Sequence, residues 1–400
     1  MPIPTPNNTL LTPTIITRES LEILENQLCF ANLVNRRFEN YYHKIGSQLT
    51  IRKPNRFTVS DGPPLQIQNI VEPSVVVTVD KQKHVDFEFS SADMALTVDE
   101  MRERYLKPAM SQLANQIDFD LASLASQVAN SVGTPGVTPT TYATSVSLTG
   151  QRLDEMAAPQ EDRSLVLSPA AYWGIVGGQS NAFVTRVSEK ALIKGYIAEM
   201  GNQSIYMDQN VVSTAAATFG GTPLTNGTDQ TGASLITDGW TATTTSLPVG
   251  TAFTIDGVYA VNPQNRQSTR TLANFRVKTA VTADGTGNAT IAIDPPIVTT
   301  GPHQNVSGPA ADGSAISIIT GATGTTAVNN IAFCKDAFGL VMVPLPVPNG
   351  INAGARETYK GISLRYVSDY DGVNDVFFTR MDVLYGVAVY YQELAVRLLG

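Results

Sequence analysis

Three histidines, His43, His84 and His303, and two cysteines, Cys29 and Cys334, are the only side chains of this 400-residue sequence suited to soft-metal or imidazole chemistry. None has a second His or Cys at a metal-binding spacing, so no zinc site is read from them. Gly177, Gly178, Gln179 and Ser180 carry the glycines of a phosphate loop without its lysine-plus-hydroxyl ending, and read as a helix-ending turn. Asp369-Tyr370-Asp371-Gly372-Val373-Asn374-Asp375 resembles half of a calcium loop, but the glutamate of the twelfth position and a flanking helix are missing. A hairpin turn accounts for it better. The carboxylate pairs Asp118 and Asp120, and Asp154 and Glu155, could share acid and base work, yet at these spacings they are more often helix-surface residues. No Gly-x-Ser-x-Gly elbow occurs and no Ser/His/Asp set can be assembled. The sequence therefore nominates no catalytic, cofactor-binding or metal-binding residue, and the chain is not read as an enzyme.

The elements that would carry any site say more. The longest is a helix over Thr97–Asn130. Thr97 with Glu100 three residues on has the form of a capping box, and Asp99 and Glu100 suit the first turn. Val98, Met101, Tyr105, Ala109, Leu113, Ile117, Leu121, Leu124 and Val128 then recur at steps of three and four. Such a stripe, roughly 30 residues and about 45 Å long, exceeds an ordinary globular helix. Pro108 is expected to kink it. Before it, Val85, Phe87 and Phe89 alternate with Asp86, Glu88 and Ser90 as in a strand with one wet face.

The formal charge of −8 argues against coating nucleic acid. Two distant cysteines imply no disulfide framework, and no apolar run is long enough to span a membrane. Met1 to Thr17, with Pro2, Pro4, Pro6 and Pro13, reads as an extended arm rather than a signal peptide. A short helix follows over Thr17–Phe38, with Thr17 as its cap. Gln48–Ser60 and Ser74–Phe89 read as a long hairpin around Asp61, Gly62, Pro63 and Pro64. Its first arm is basic: Arg36, Arg37, Lys44, Arg52, Lys53 and Arg56 face one acidic residue, Glu39. An isolated two-stranded ribbon is marginal, so it must lean on another part. Beyond a Gly/Pro/Thr linker, helix starts at Ser145 and at Ser168-Pro169 alternate with a strand from Ser164.

Between Met200 and Arg356 there is no glutamate, and Thr, Gly, Ala, Asn and Asp dominate. That loss of helix formers predicts short strands and turns: Thr251–Val261, Phe275–Thr282, Ala289–Ile293 and Ile316–Thr320, with a turn at Asp284–Asn288. Strand-like runs at Leu340–Val347, Arg356–Arg365, Asp375–Asp382 and Val383–Leu398 then restore the first composition, so the β unit is inserted within another domain.

This order of parts resembles the major capsid proteins of tailed double-stranded DNA bacteriophages with the Hong Kong 97-type fold, and within them the phage P22-type coat proteins, which add an insertion domain. The resemblance is carried by Phe87–Leu96 with Arg104–Asp118, by Gly232–Trp240 with Gly250–Val258, and by Arg380–Val389. It implies an α+β fold divided as follows: N-terminal arm and short helix, 1–45; extended β-hairpin loop, 46–89; peripheral domain with the spine helix, 90–141; first part of the axial domain, 142–222; inserted small β-barrel, 223–343; closing axial and peripheral strands, 344–400.

The resemblance also implies partners: many copies of the same chain in hexamers and pentamers, a scaffolding protein, a portal, and in some relatives a decoration protein. The shell would enclose DNA without reading it, in a virion assembled in the host bacterial cytoplasm, and no cofactor is implied. Arg52, Lys53 and Arg56 are expected to meet Asp99, Glu100 and Glu103 of an adjacent copy. The intercapsomer loop of some relatives is short and nearly uncharged here, with Asp229 and Asp238 only. The turn Asn262–Asn274, with Arg266 and Arg270, is then the segment placed to face a neighbour. The competing reading, a secreted or surface β-rich adhesion protein, rests on the Thr/Gly-rich region alone.

Overall fold

The structure is a computed structural model that describes residues 13–37, 48–59, 62, 65, 67–68, 70, 72–90, 102–178, 199–321, 325–351, 353–372 and 376–400. The spine is continuous across 26 residues, as a π-helical turn Arg102–Leu106, an α-helix Lys107–Ala122 and a 3-10 turn Ser123–Gln127, a length of about 40 Å. Leu106, Ala109, Met110, Leu113, Ile117, Leu121, Leu124 and Val128 are buried along one stripe, as their spacing requires. The proposed cap at Thr97 and the first-turn acids Asp99 and Glu100 lie outside the described residues. Pro108 stands at the second residue of the α-segment, where the winding changes from π to α; the ring's missing N–H and its bulk fall where the ladder is already irregular. The first helix, Pro13–Gln27, starts earlier than expected. Thr17 is inside it and donates its hydroxyl to Pro13 O at 2.7 Å instead of capping.

The spine and the first helix bury their apolar faces against a five-stranded antiparallel sheet of Lys81–Ser90, Phe338–Met342, Ala353–Tyr359, Ile362–Asp371 and Val376–Val389. Ile362, Leu364, Tyr366, Met381, Val383 and Tyr385 point at the helices, and the buried Tyr385 hydroxyl donates to Asp120 at 2.8 Å. The second arm of the expected hairpin divides here. Ser74–Thr78 pairs with Gln48–Arg52 as a ribbon, whereas Lys81–Ser90 pairs with Val376–Tyr385 as a full sheet strand. Alternating sequence suits both roles, because each has one buried face. Likewise Val376–Val389 is one strand of 14 residues where two runs were expected, and the Arg356–Arg365 run folds back at Lys360–Gly361. Of the calcium-like run, Asp369, Tyr370 and Asp371 end a strand and pair with Phe378, Phe377 and Val376, while Val373, Asn374 and Asp375 lie outside the described residues.

A mixed seven-stranded sheet follows the order Ser131–Gly133, Ala395–Leu399, Ala327–Cys334, Arg163–Leu167, Gln203–Met207, Glu199–Met200, with Ser213–Thr214 pairing on Ala327–Val328. Helices Val146–Glu155 and Pro169–Gly178 bury Val146, Leu153, Ala171 and Ile175 against Leu165, Leu167, Val396 and Leu398. Arg163–Leu167 is buried at every position, as a strand covered on both faces must be.

The third body is a six-stranded antiparallel sheet, Ile316–Ile318, Ala252–Val261, Ser268–Val277, Ala289–Ile297, Gly232–Trp240 and Gly221–Thr225. An isolated bridge from Leu224 to Ala315 joins its two edges, so it is nearly a closed barrel and leaves little exposed edge. Its core of Leu235, Trp240, Phe253, Ile255, Phe275, Val277, Ile291 and Ile293 is separate from the others. Residues 327–342, expected within the insertion, form strands of the two other sheets instead. Phe275→Ala is expected to cost the barrel about 3–5 kcal/mol, because Phe275 is fully buried with its ring 6.0 Å from that of Phe253. Urea unfolding with hydrogen exchange checks this: protection should fall in the barrel strands before it falls in Arg163–Leu167.

Candidate assembly surfaces

The ribbon runs in register from Gln48 opposite Thr78 to Arg52 opposite Ser74, and its last backbone bond is Lys53 N to Pro73 O at 2.8 Å. Leu49, Ile51, Val75 and Val77 lie on Val341, Val343, Leu345, Leu384 and Tyr390 of the sheet below. Gly386 permits this seat, since a Cβ there would stand 2.4 Å from Thr78 O. The ribbon therefore leans on its own subunit.

Beyond Pro54 and Pro73 the described residues of the arms are no longer laddered, as proline cannot donate. The Gln68 side chain clasps Thr58 instead, accepting from Thr58 N at 2.7 Å and donating to Thr58 O. This holds out an apolar tip: Phe57, Val59, Leu65, Ile67 and Ile70 are 63%, 97%, 87%, 85% and 67% exposed. One exposed apolar side chain is ordinary, but five so close in sequence form a surface made to be covered.

The expected contact residues gather at the ribbon root, where the partners found belong to the same chain. Arg52 pairs with Glu72 at 3.1 Å in solvent, Lys53 lies 4.8 Å over the Tyr391 ring, and Arg56 pairs with Glu393 at 2.8 Å. Burial, with Glu393 and Asp336 nearby, pushes the Tyr391 phenol up, with Arg56 opposing. Of the acids expected opposite them, Asp99 and Glu100 fall outside the described residues, and only the backbone of Glu103 is described, in the π turn. The turn between the two barrel strands is Asn262–Gln267, shorter than expected because the second strand starts at Ser268. From it the Arg266 Nη2 donates to Phe57 O at 2.8 Å, reaching its own ribbon. Arg270 stands exposed on the strand.

Sequence reasoning missed the polar groups that fix these surfaces. Asp382 is buried and accepts from Arg365 at 2.7 and 3.1 Å, from Arg380 at 2.8 Å and from Gln82 at 3.2 Å, tying three strands. Burial pushes its carboxyl up, but the hydrogen bonds of Arg365 and Arg380 prevail and hold it below the usual range. The barrel meets the remaining chain through polar contacts. Arg152 bridges Glu155 at 3.1 Å and Thr271 at 2.9 Å, Asn274 donates to Ser131 O at 2.8 Å, and the buried Arg397 donates to Gly250 O at 2.9 Å. Burial first, then Arg276, lowers Arg397 to about 9. A cavity of about 340 Å³ separates the barrel from the ribbon root and residues 391–393. Apart from Glu155 beside Arg152 and Arg380 two residues before Asp382, no short-range pattern announces these partners.

Asp118, read as a helix-surface acid, is buried and grips the second helix, Phe30–Leu33, accepting Cys29 N at 2.7 Å and Ala31 N at 3.0 Å. Burial raises its carboxyl to about 7 despite those two bonds, and Asp208 adds to the rise. Because the folded value lies above the ordinary carboxyl value of 3.8, the folded state holds the proton more tightly than the unfolded chain. Its contribution to stability therefore falls as pH rises from about 4 to about 7, by at most about 4 kcal/mol, and is level above that. Asp118→Asn is expected to flatten this slope, measured as urea midpoints between pH 4.5 and 7.5.

Among the described residues no group of three His, Cys, Asp or Glu side chains is placed to hold a metal ion, and no helix is long and apolar enough to cross a membrane. Residues 6–400 match a family model described as P22 coat protein, gene protein 5. No curated protein sequence matches. Among solved structures the chain is similar to one from Mycobacterium phage Che8, with TM-score 0.49 and 13% identity, covering 92% of this chain and 90% of that one. It is also similar to the capsid of cyanophage P-SCSP1u, with TM-score 0.44 and 13% identity over 92% and 87% of the two chains. A third is the mature capsid of bacteriophage PhiM1, with TM-score 0.40 and 11% identity over 88% and 81%.

Proposed function

The chain belongs to the P22 coat protein family, and from that premise we propose how it builds its shell. It is a major capsid protein of the Hong Kong 97-type fold, a structural subunit of an icosahedral bacteriophage shell. The family match over residues 6–400 carries this conclusion and disfavours the adhesion reading.

In our reading the ribbon lies over the next copy in a hexamer or pentamer, the spine and five-stranded sheet form the wall, and the seven-stranded sheet packs around the capsomer centre. The exposed tip supports the first of these roles. The area it offers outweighs what the basic root can contribute, since an exposed ion pair is worth roughly 0–1 kcal/mol. Arg52, whose pair with Glu72 is solvent-exposed, remains free to exchange that partner for Asp99, Glu100 or Glu103 of a neighbour. Lys53 and Arg56 brace the root and add charge there, and Arg270 faces outward. The subunit works by interfaces and not by catalysis. A scaffolding protein guides an immature shell, a portal occupies one vertex, a decoration protein can bind outside, and assembly takes place in the host cytoplasm before DNA enters.

Sedimentation velocity of the chain, alone and co-expressed with its scaffold, tests the reading. Closed particles are expected with scaffold. Monomers under every condition would overturn it.

A further inference from the structure

Past the last ladder bond, from Lys53 N to Pro73 O, the ribbon has a proline on each arm, Pro54 and Pro73. Among the described residues no backbone ladder carries the sheet's rigidity into the distal part, so other contacts must help to place it. The Arg56–Glu393 pair does so at the root. Another contact reaches further out: Arg266 Nη2 to Phe57 O at 2.8 Å, a bond strengthened by the donor's charge.

The turn that carries Arg266 is itself held. Asn262 Oδ1 accepts from Gln264 N at 2.9 Å and Asn265 N at 3.2 Å, and Asn262 Nδ2 donates to Glu155 O at 2.9 Å on the helix Val146–Glu155. Arg266 N closes the turn on Asn262 O at 2.9 Å, with Arg266 at φ +55. A long side chain adopts that left-handed conformation only where its surroundings impose it. At the root the cavity of about 340 Å³, bordered by Lys53, Arg56, Pro73, Pro263 and Glu393, separates ribbon from barrel, so the root is not packed solidly against the barrel.

We propose that Arg266 is a positioning residue. It straps the distal ribbon to the inserted barrel, and so sets the angle at which the apolar tip is offered to a second copy of this chain. The barrel thereby acts on the assembly interface from within its own subunit. The strap stands on the contacts above; its effect on the shell rests on the capsid reading.

The test uses unassembled full-length chain with spin labels at Leu65→Cys in the tip and Thr279→Cys on the barrel. Burial raises the native Cys29 thiol to about 12 and raises Cys334 as well, so the introduced thiols take the label near neutral pH. Pulsed dipolar spectroscopy is expected to give one narrow distance distribution. Arg266→Ala should roughly double its width, while Arg266→Lys, which keeps a donor, should stay close to the parent. The barrel's melting temperature should not change. A width unchanged in Arg266→Ala, or broadened only with loss of the barrel's cooperative melting, overturns the strap. Particles of Arg266→Ala are then expected to spread in diameter, and a uniform population overturns the angular role. Failure of the parent chain itself to form particles would fall on the capsid reading and leave the strap standing.

Discussion

Leu65→Asp with Ile67→Asp is expected to leave a folded monomer and to abolish closed particles. Both side chains are more than four-fifths exposed in the isolated subunit, so replacing them removes nothing from its core and its melting should change little. If the tip is covered in the shell, each substitution forfeits about 1.5–3 kcal/mol of apolar burial. Each also places a carboxylate in an apolar contact, which costs several kcal/mol more unless a partner is found. The loss recurs at every copy. Reversal at the root, Arg52→Glu with Lys53→Glu, should act in the same direction and more weakly, lowering particle yield. Unchanged yield and particle stability in that variant would remove the root from the interface. Sedimentation of both variants beside the parent separates the contributions of area and charge.

Asp382→Ala is expected to destabilise the subunit itself by about 2–4 kcal/mol, through loss of the charge-assisted hydrogen bonds that two partly exposed arginines make to a buried carboxylate. Arg365 and Arg380 would lose the carboxylate between them, and Gln82 would lose its acceptor. The same site sets an acid limit. Because the folded carboxyl is held below the ordinary carboxyl value of 3.8, its stabilisation is complete above about pH 4 and is lost as pH falls through the folded value. This trend is opposite to that of Asp118, whose contribution weakens on the way up to pH 7. Chemical unfolding of Asp382→Ala near neutrality should show the full deficit, and the gap from the parent should narrow in strong acid. A deficit below about 1 kcal/mol at neutral pH would mean that Arg365 and Arg380 find other acceptors or water.

The spine was legible because its period is local and long: Leu113, Ile117, Leu121 and Leu124 mark one face whatever surrounds them. The inserted barrel was legible as a composition, but its end was not. Ala327–Cys334 and Phe338–Met342 share the glutamate-free stretch and still belong to other sheets, since strand propensity does not specify a partner. The hairpin was read too long for a related reason, as Val85 and Phe87 alternate equally well for a ribbon and for a half-buried sheet strand. Asp382 carried little signal: Arg380 stands two residues before it, but Gln82 is 300 residues away and Arg365 is 17 away. The basic root was visible as charge, but its engagement with Glu393 and Tyr391 was not, because those residues lie more than 330 positions downstream. The tip was visible only as scattered apolar letters, and their exposure emerged with the clasp of Gln68 on Thr58.

The most direct test of the whole account is an electron cryomicroscopy reconstruction of particles made by the full chain with its scaffold. A closed icosahedral shell is predicted, with Phe57, Val59, Leu65 and Ile67 covered by an adjacent copy and Arg56 still paired with its own Glu393. Particles in which that tip stands free in solvent, or a chain that yields no shell at all, would contradict it.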